Sequence, residues 1–225
     1  DLSFRIEPGQ SVALVGVTGS GKTSIASVLT RLYEIQKGTI WLDRIDIRNM
    51  EKTALRYIIG LVSQDVFLFS GALRDNITLF NPIADTKTLE TIESLGLMPF
   101  INRMQDGLDT RISERGANLS VGERQFISLT RIILYNPCII ILDEATSSMD
   151  PISEVLIQNA LQKVTQGRTS LFIAHRLSTI LHCDKIIVLS KGEKIEEGNH
   201  ESLLQSGGLY SQLYKIYIKD ELARI

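Results

Sequence analysis

Eight consecutive residues, Gly16-Val17-Thr18-Gly19-Ser20-Gly21-Lys22-Thr23, fit the pattern G-x-x-x-x-G-K-[S/T]. Three glycines let a loop curl until successive backbone N–H groups face inward, which makes a concavity for anionic oxygen. The pattern follows an apolar stretch, Ser11 to Val15, that reads as a strand. It leads into helical spacing (Ile25, Val28, Leu29, Leu32) that predicts a helix opening at Lys22. The helix N-terminus adds about half a positive charge to the concavity. The ligand implied is a nucleoside triphosphate, cradled by the backbone of Thr18, Gly19, Ser20 and Gly21. Lys22 would neutralise the β- and γ-phosphates, the Thr23 hydroxyl would ligate Mg²⁺, and Ser24 would lie near the α-phosphate. A Gly-rich turn with no ligand is the bland alternative, and the strand-to-helix context argues against it.

A second group would supply hydrolysis. Ile139-Ile140-Ile141-Leu142 is apolar throughout, as a central strand buried on both faces should be, and it ends in Asp143-Glu144. Adjacent carboxylates at a strand end can divide the labour: Asp143 would hold Mg²⁺ through water, and Glu144 would polarise the attacking water.

The elements that must position these groups follow from the alternation of short apolar runs with helical patterns. Strands are predicted at Ser11 to Val15, Thr39 to Leu42, Ile58 to Val62, Cys138 to Leu142, Ser170 to Ala174 and Lys185 to Leu189. They describe an α/β domain with a mainly parallel sheet. Between Gln64 and Pro137 the spacing turns helical (Leu89, Ile92, Glu93, Leu95; Phe126, Leu129, Ile132, Ile133), which predicts an inserted α-helical subdomain. After Gly207-Gly208, Leu209, Tyr210, Leu213, Tyr214 and Tyr217 share one face of a docking helix.

Composition bounds the rest. With 225 residues, 44% hydrophobic and 22% charged, the chain reads as one large globular domain or a domain with a subdomain, not a disordered chain or a disulfide scaffold. A net charge of −2 excludes nucleic-acid binding by charge alone. The longest apolar runs are six residues, Val12 to Val17 and Tyr57 to Val62, far short of the roughly 20 a membrane-spanning helix needs. Cys138 and Cys183 have apolar neighbours and no metal-type spacing, so both are expected to be small buried hydrophobes in a reducing compartment. Asn76-Ile77-Thr78 and Asn118-Leu119-Ser120 match the glycosylation sequon and are discounted. Asp1 runs straight into the alternation Leu2, Phe4, Ile6, without a signal peptide or initiator Met, which suggests a piece of a longer polypeptide.

The choice among phosphate-loop proteins rests on Asn118-Leu119-Ser120-Val121-Gly122-Glu123-Arg124-Gln125, whose Ser120 stands 23 residues before Asp143. This octet resembles the signature motif of ATP-binding cassette (ABC) proteins. Gln64, 42 residues after Lys22, matches the family's Q-loop; Ser147-Ser148-Met149-Asp150 matches its D-loop; and His175, 31 residues after Glu144, matches its switch histidine. Ser113-Glu114-Arg115-Gly116 is similar to the X-loop of exporters, and Gln64 to Ser70 resembles the segment that faces the transmembrane coupling helix in that class.

The resemblance implies a P-loop NTPase (RecA-like) core over 1–63 and 138–225 and a helical subdomain over 64–137. Its function would be that of the ATP-binding and hydrolysing motor domain of an exporter at the cytoplasmic face of a membrane. It implies Glu144, His175 and Gln64 as catalytic groups, Thr23, Gln64 and Asp143 around Mg²⁺, and ATP as the nucleotide. Ser120, Val121, Gly122 and Glu123 would close over the γ-phosphate held by a second nucleotide-binding domain, in a homo- or heterodimer. A transmembrane domain would dock on Gln64 to Ser70. Two positions depart from the common pattern: Val121 stands where many members have Gly, and Glu123 where many have Gln, so a carboxylate near the γ-phosphate would weaken closure. The adenine-stacking aromatic is expected upstream of Asp1. Ser120-x-x-Glu123 is also a capping box that would start a helix over Glu123 to Tyr135 whatever the function.

The alternative is a regulatory or catalytically impaired half of a heterodimeric transporter. Chromosome-maintenance ATPases, which carry a long heptad insertion, and metabolic P-loop kinases, which need an acceptor site, fit the chain poorly.

Overall fold

The computed structural model describes residues 2–63, 65–143, 149–173 and 177–222. In chain order its first half comprises β1 (Ser11–Val15), α1 (Lys22–Leu29), β2 (Trp41–Leu42), β3 (Ile45–Asp46), α2 (Lys52–Ile58), β4 (Ile59–Val62), β5 (Gly71–Ala72), α3 (Leu73–Thr78), α4 (Asp85–Leu95), α5 (Met98–Asn102) and β6 (Arg111–Ile112). There follow α6 (Val121–Tyr135), β7 (Ile139–Asp143), α7 (Pro151–Thr165), β8 (Thr169–Ile173), α8 (Leu177–Leu181), β9 (Lys185–Ser190), β10 (Glu193–Gly198), α9 (His200–Gln205) and α10 (Leu209–Leu222). Two units result: Asp1–Leu61 with Cys138–Glu144 and Gly167–Ile225, and Val62–Pro137 with Ala145–Gln166. The stretch Ala145–Gln166, expected with the core from sequence, groups with the helical unit.

The first unit is built on a six-stranded sheet of order β10-β9-β1-β8-β7-β4. β1 pairs in parallel with both β8 and β9, β7 pairs in parallel with β8, and among the described registers of this sheet only the edge pair β9 and β10 is antiparallel. β1 is therefore central and buried on both faces. Val12 and Leu14 turn to one side, against Ile25 and Ala26 of α1 together with Leu55 and Leu171. Ala13 and Val15 turn to the other, against Ile180, Leu203, Tyr210 and Leu213. The period-two alternation of a strand thus fills two cores at once. Glu196 on β10 accepts the amides of Leu209 at 2.5 Å and Tyr210 at 3.1 Å, capping the start of α10, and Tyr210 is fully buried.

Several expectations shift. Thr39 to Leu42 does not join the main sheet. Only Trp41–Leu42 is strand, paired with Ile45–Asp46 across Asp43 and Arg44, whose φ values of 45° and 69° make the two-residue turn that suits a hairpin. Ile58 closes α2 rather than opening β4. Leu32 lies beyond α1 and is exposed, because Arg31 adopts φ 49° and ends the helix with bonds from Arg31 N to Val28 O and Leu32 N to Ser27 O. β10 had no apolar run to announce it; its charged residues suit a sheet edge. Cys183 is buried, but Cys138 is exposed, since it precedes β7 in the connection from α6.

In the second unit α6 is the central helix, packed by α3, α4 and α7. Phe126 stacks on Phe100 with centroids 5.4 Å apart. Asp150 caps α7 by accepting the Ser153 amide at 2.9 Å. Among the described residues no helix is long and apolar enough to cross a membrane.

Candidate nucleotide-binding site

The phosphate-type loop leaves β1 at Gly16, which is buried so tightly that a methyl built on it would stand 2.3 Å from the Leu189 carbonyl oxygen and 2.7 Å from Ser20 Oγ. Only glycine lets the chain turn here against the backbone of β9. The turn after β9 also holds the loop, through Gly192 N donating to Ser20 O at 3.1 Å. Gly19 and Gly21 take φ values of 81° and 103°, the left-handed region.

Within this curl Lys22 is 5% exposed, and its ammonium donates to Gly16 O at 2.7 Å and Val17 O at 3.2 Å. Burial lowers the Lys22 pKa, and the charge of Asp143 opposes that shift. A cation so placed is partly stripped of water and held by neutral carbonyls, so an anion entering the loop meets a charge with little left to desolvate. Ser20 Oγ is buried and has no hydrogen-bond partner among the described residues. Gly21, the N-cap of α1, offers no side chain to the first-turn amides. An orphan hydroxyl, an uncapped helix start and a half-satisfied ammonium are the donor set a polyphosphate would complete. Thr18, Gly19, Thr23 and Ser24 line the exposed side of the same loop and helix start. Asp143 ends β7 opposite Ile173 of β8 and is partly buried.

The signature-like octet sits at the head of α6. Ser120 is the N-cap: its hydroxyl accepts from Glu123 N at 3.2 Å, and its own amide donates to Glu123 Oε2 at 2.7 Å. The predicted capping box is present, with the helix beginning at Val121. The Glu123 carboxylate is thereby turned back on the backbone. Gly122 is buried, and a methyl there would lie 3.0 Å from Ser153 Cβ of α7, so its size is also fixed by packing. Ser120 is exposed and Val121 partly so. The preceding turn is held by Asn118, which accepts from the Ser113 amide and hydroxyl and donates to Arg111 O.

Gln64, Glu144, Ser147, Ser148 and His175 lie outside the described residues. Next to Gln64, Phe67 and Phe69 are exposed and meet edge to face at 5.0 Å, and Phe69 meets Phe80 at 5.5 Å. Two features escaped the sequence reading: this aromatic face reaches Phe80, and its backbone is held by Asn76 and Arg131. A lone cation in the apolar run of α6 was the available signal.

Residues 1–147 match the family model described as ABC transporter. The chain belongs to the ABC transporter family. The ABC domain is 50% identical over 217 residues to an ATP-dependent lipid A-core flippase of Legionella pneumophila (strain Paris), covering 96% of this chain and 37% of the flippase. It is 48% identical over 215 residues to the uncharacterized ABC transporter ATP-binding protein YknV of Bacillus subtilis (strain 168), covering 95% of this chain and 36% of that protein. The solved structure of a bacterial Atm1-family ABC exporter with ATP bound superposes with a TM-score of 0.87 at 38% identity, over 95% of this chain and 38% of that one. The ABC domain therefore has the P-loop NTPase fold and the ATP-binding, ATPase activity of its family, and the proteins it resembles include a flippase and an exporter. It spans little more than a third of the relatives it matches.

Proposed function

We propose that this domain powers an exporter by closing on a second nucleotide-binding domain around ATP and reopening on hydrolysis. The observation that carries the reading is the Lys22 cradle: a buried, carbonyl-held ammonium beside an orphan Ser20 hydroxyl and an uncapped helix start.

In that cradle Lys22 takes the charge of the β- and γ-phosphates, while the first-turn amides and Ser20 take phosphate oxygens. Mg²⁺ suits the donors present. Thr23 offers one hydroxyl and Asp143 one carboxylate, a sparse set for an ion that keeps phosphates and waters as its other ligands, and Gln64 is assigned as a further metal ligand. When bound, the ion neutralises developing charge on the phosphates. Glu144 is assigned as the base that orients the attacking water, and His175 as the sensor of the γ-phosphate. Ser120 of the second copy, a capped helix start, would complete the site together with Val121, Gly122 and Glu123. Glu123 accepts the Ser120 amide but keeps its charge, so a repulsion toward a phosphate there remains.

The exposed face of Phe67, Phe69 and Phe80 is the proposed seat of a transmembrane part, and the chain spans only 37% of the flippase and 38% of the exporter it resembles, which leaves room for one. In this reading the domain works at the cytoplasmic face of a membrane. The second domain is the same chain or a paralogue of it. The similarity to exporter-type relatives does not favour the impaired-half alternative.

The test is Mg-ATP hydrolysis with dimer mass, comparing the parent with Glu144→Gln. Turnover in the parent, and ATP-dependent dimers that accumulate only in the variant, support the proposal. Equal hydrolysis in both would remove Glu144 from its role.

A further inference from the structure

The connection between β4 and α3 carries Gln64, and α6 holds it at both ends. At one end Gln125 Nε2 donates to Ser63 O at 3.4 Å. At the other Arg131 Nη1 donates to Phe67 O at 3.0 Å, and Arg131 Nε donates to Asn76 O at 2.7 Å. Asn76, fully buried, finishes the tie: its side chain accepts from Phe69 N at 2.9 Å and donates to Phe69 O at 2.9 Å and Ala72 O at 3.2 Å. Between these bonds Leu68 is buried, its Cδ1 2.5 Å from where a methyl on Gly116 would stand, in the turn that precedes α6.

We infer that Arg131 is a positioning residue: with Gln125 at the other end, it fixes the segment bearing Gln64 to the helix whose first turn is the signature. The inference rests on the proposed function through the role given to Gln64. The cost argues for the role. Burial depresses the Arg131 pKa to about 10, and among the described residues the guanidinium donates to carbonyls and an amide oxygen rather than to a carboxylate. A planar fork reaches two carbonyls on different elements at once; an ammonium cannot reproduce that geometry. The same tie sets the backbone beneath Phe67 and Phe69, so a displacement of that aromatic face is delivered to the Gln64 segment and to α6 together.

Arg131→Lys tests this in the whole chain by two readings. Hydrogen exchange of the Phe69 amide, whose acceptor is Asn76, should quicken at least tenfold. Half-saturating Mg²⁺ for ATP turnover should rise and kcat fall at least fivefold, with KM for ATP within twofold and one nucleotide still bound per chain. Unchanged Phe69 exchange overturns the inference, as does unchanged kcat. A fall in kcat that merely tracks lost nucleotide stoichiometry also overturns it, because that is loss of fold. Should the parent show no turnover, the proposed function fails and the Phe69 exchange alone decides the tether. If the lysine variant does not fold, Asn76→Ser cuts the tie from the segment's side and is read in the same way.

Discussion

Replacing Gly16 with alanine places a methyl 2.3 Å from Leu189 O, where ordinary contact begins near 3.4 Å, so loop and strand must part by about 1.1 Å. Leu189 is fixed in β9 between β1 and β10, and the obstacle is backbone rather than a flexible side chain. Overpacking of this kind costs about 3 kcal/mol. For a chain of this length that is a fall in Tm of roughly 6–12 °C. A shift of the loop also spoils the amide cradle; losing about 2 kcal/mol of phosphate contact weakens ATP binding roughly 30-fold. Gly19 supplies the control. A methyl there meets nothing within 4 Å, so Gly19→Ala carries only the strain of φ 81°, about 1 kcal/mol. Calorimetry and nucleotide titration on the two variants should rank Gly16→Ala far below Gly19→Ala in both quantities. Equal effects, or a Gly16→Ala protein that melts and binds like the parent, would refute the steric reasoning.

Lys22→Met removes the buried ammonium and should weaken ATP binding by roughly 100-fold while the folded state persists, as titration and circular dichroism would report. Ser120→Ala breaks the cap on α6 and should cost about 1 kcal/mol of stability, whereas Glu123→Gln keeps the capping box and should leave Tm nearly unchanged; thermal melts separate them. Asp184 accepts the Ser11 hydroxyl at 2.6 Å and amide at 2.8 Å, and these bonds hold its pKa below the usual carboxylate value. Because the folded pKa is depressed, the stabilisation is present above the unfolded value of about 3.9 and is lost as pH falls through the folded one. The Tm gap between parent and Asp184→Asn should therefore be open at neutral pH and narrow as pH falls below the unfolded value of about 3.9.

What was legible in the sequence is what local chemistry dictates. The apolar run of β1, the glycines of the loop, the capping box of Ser120 and Glu123, and the face of α10 all appear at or within a residue or two of their expected places. β10 was not legible because an edge strand need not be apolar, and the hairpin of β2 and β3 hid in two left-handed residues that are not glycine. Cys138 looked buried because its neighbours are apolar, yet it stands before the strand rather than in it. The hold of Arg131 on Phe67 and Asn76, and the approach of Gly116 to Leu68, join residues about 50 or more apart in the chain. No periodicity reports such contacts. They depend on how α6 meets its neighbours.

The composite, ATP-closed dimer is tested most directly by mixing two disabled chains, Lys22→Met, which lacks the phosphate cation, and Ser120→Glu, which sets a second negative charge at the signature. Each alone should be inactive. Mixed in equal amounts they form hybrid dimers with one intact site, so about a quarter of parental ATPase activity should return. A mixture as inactive as its components would contradict the shared site, and full activity in the Ser120→Glu chain alone would contradict any role for the signature.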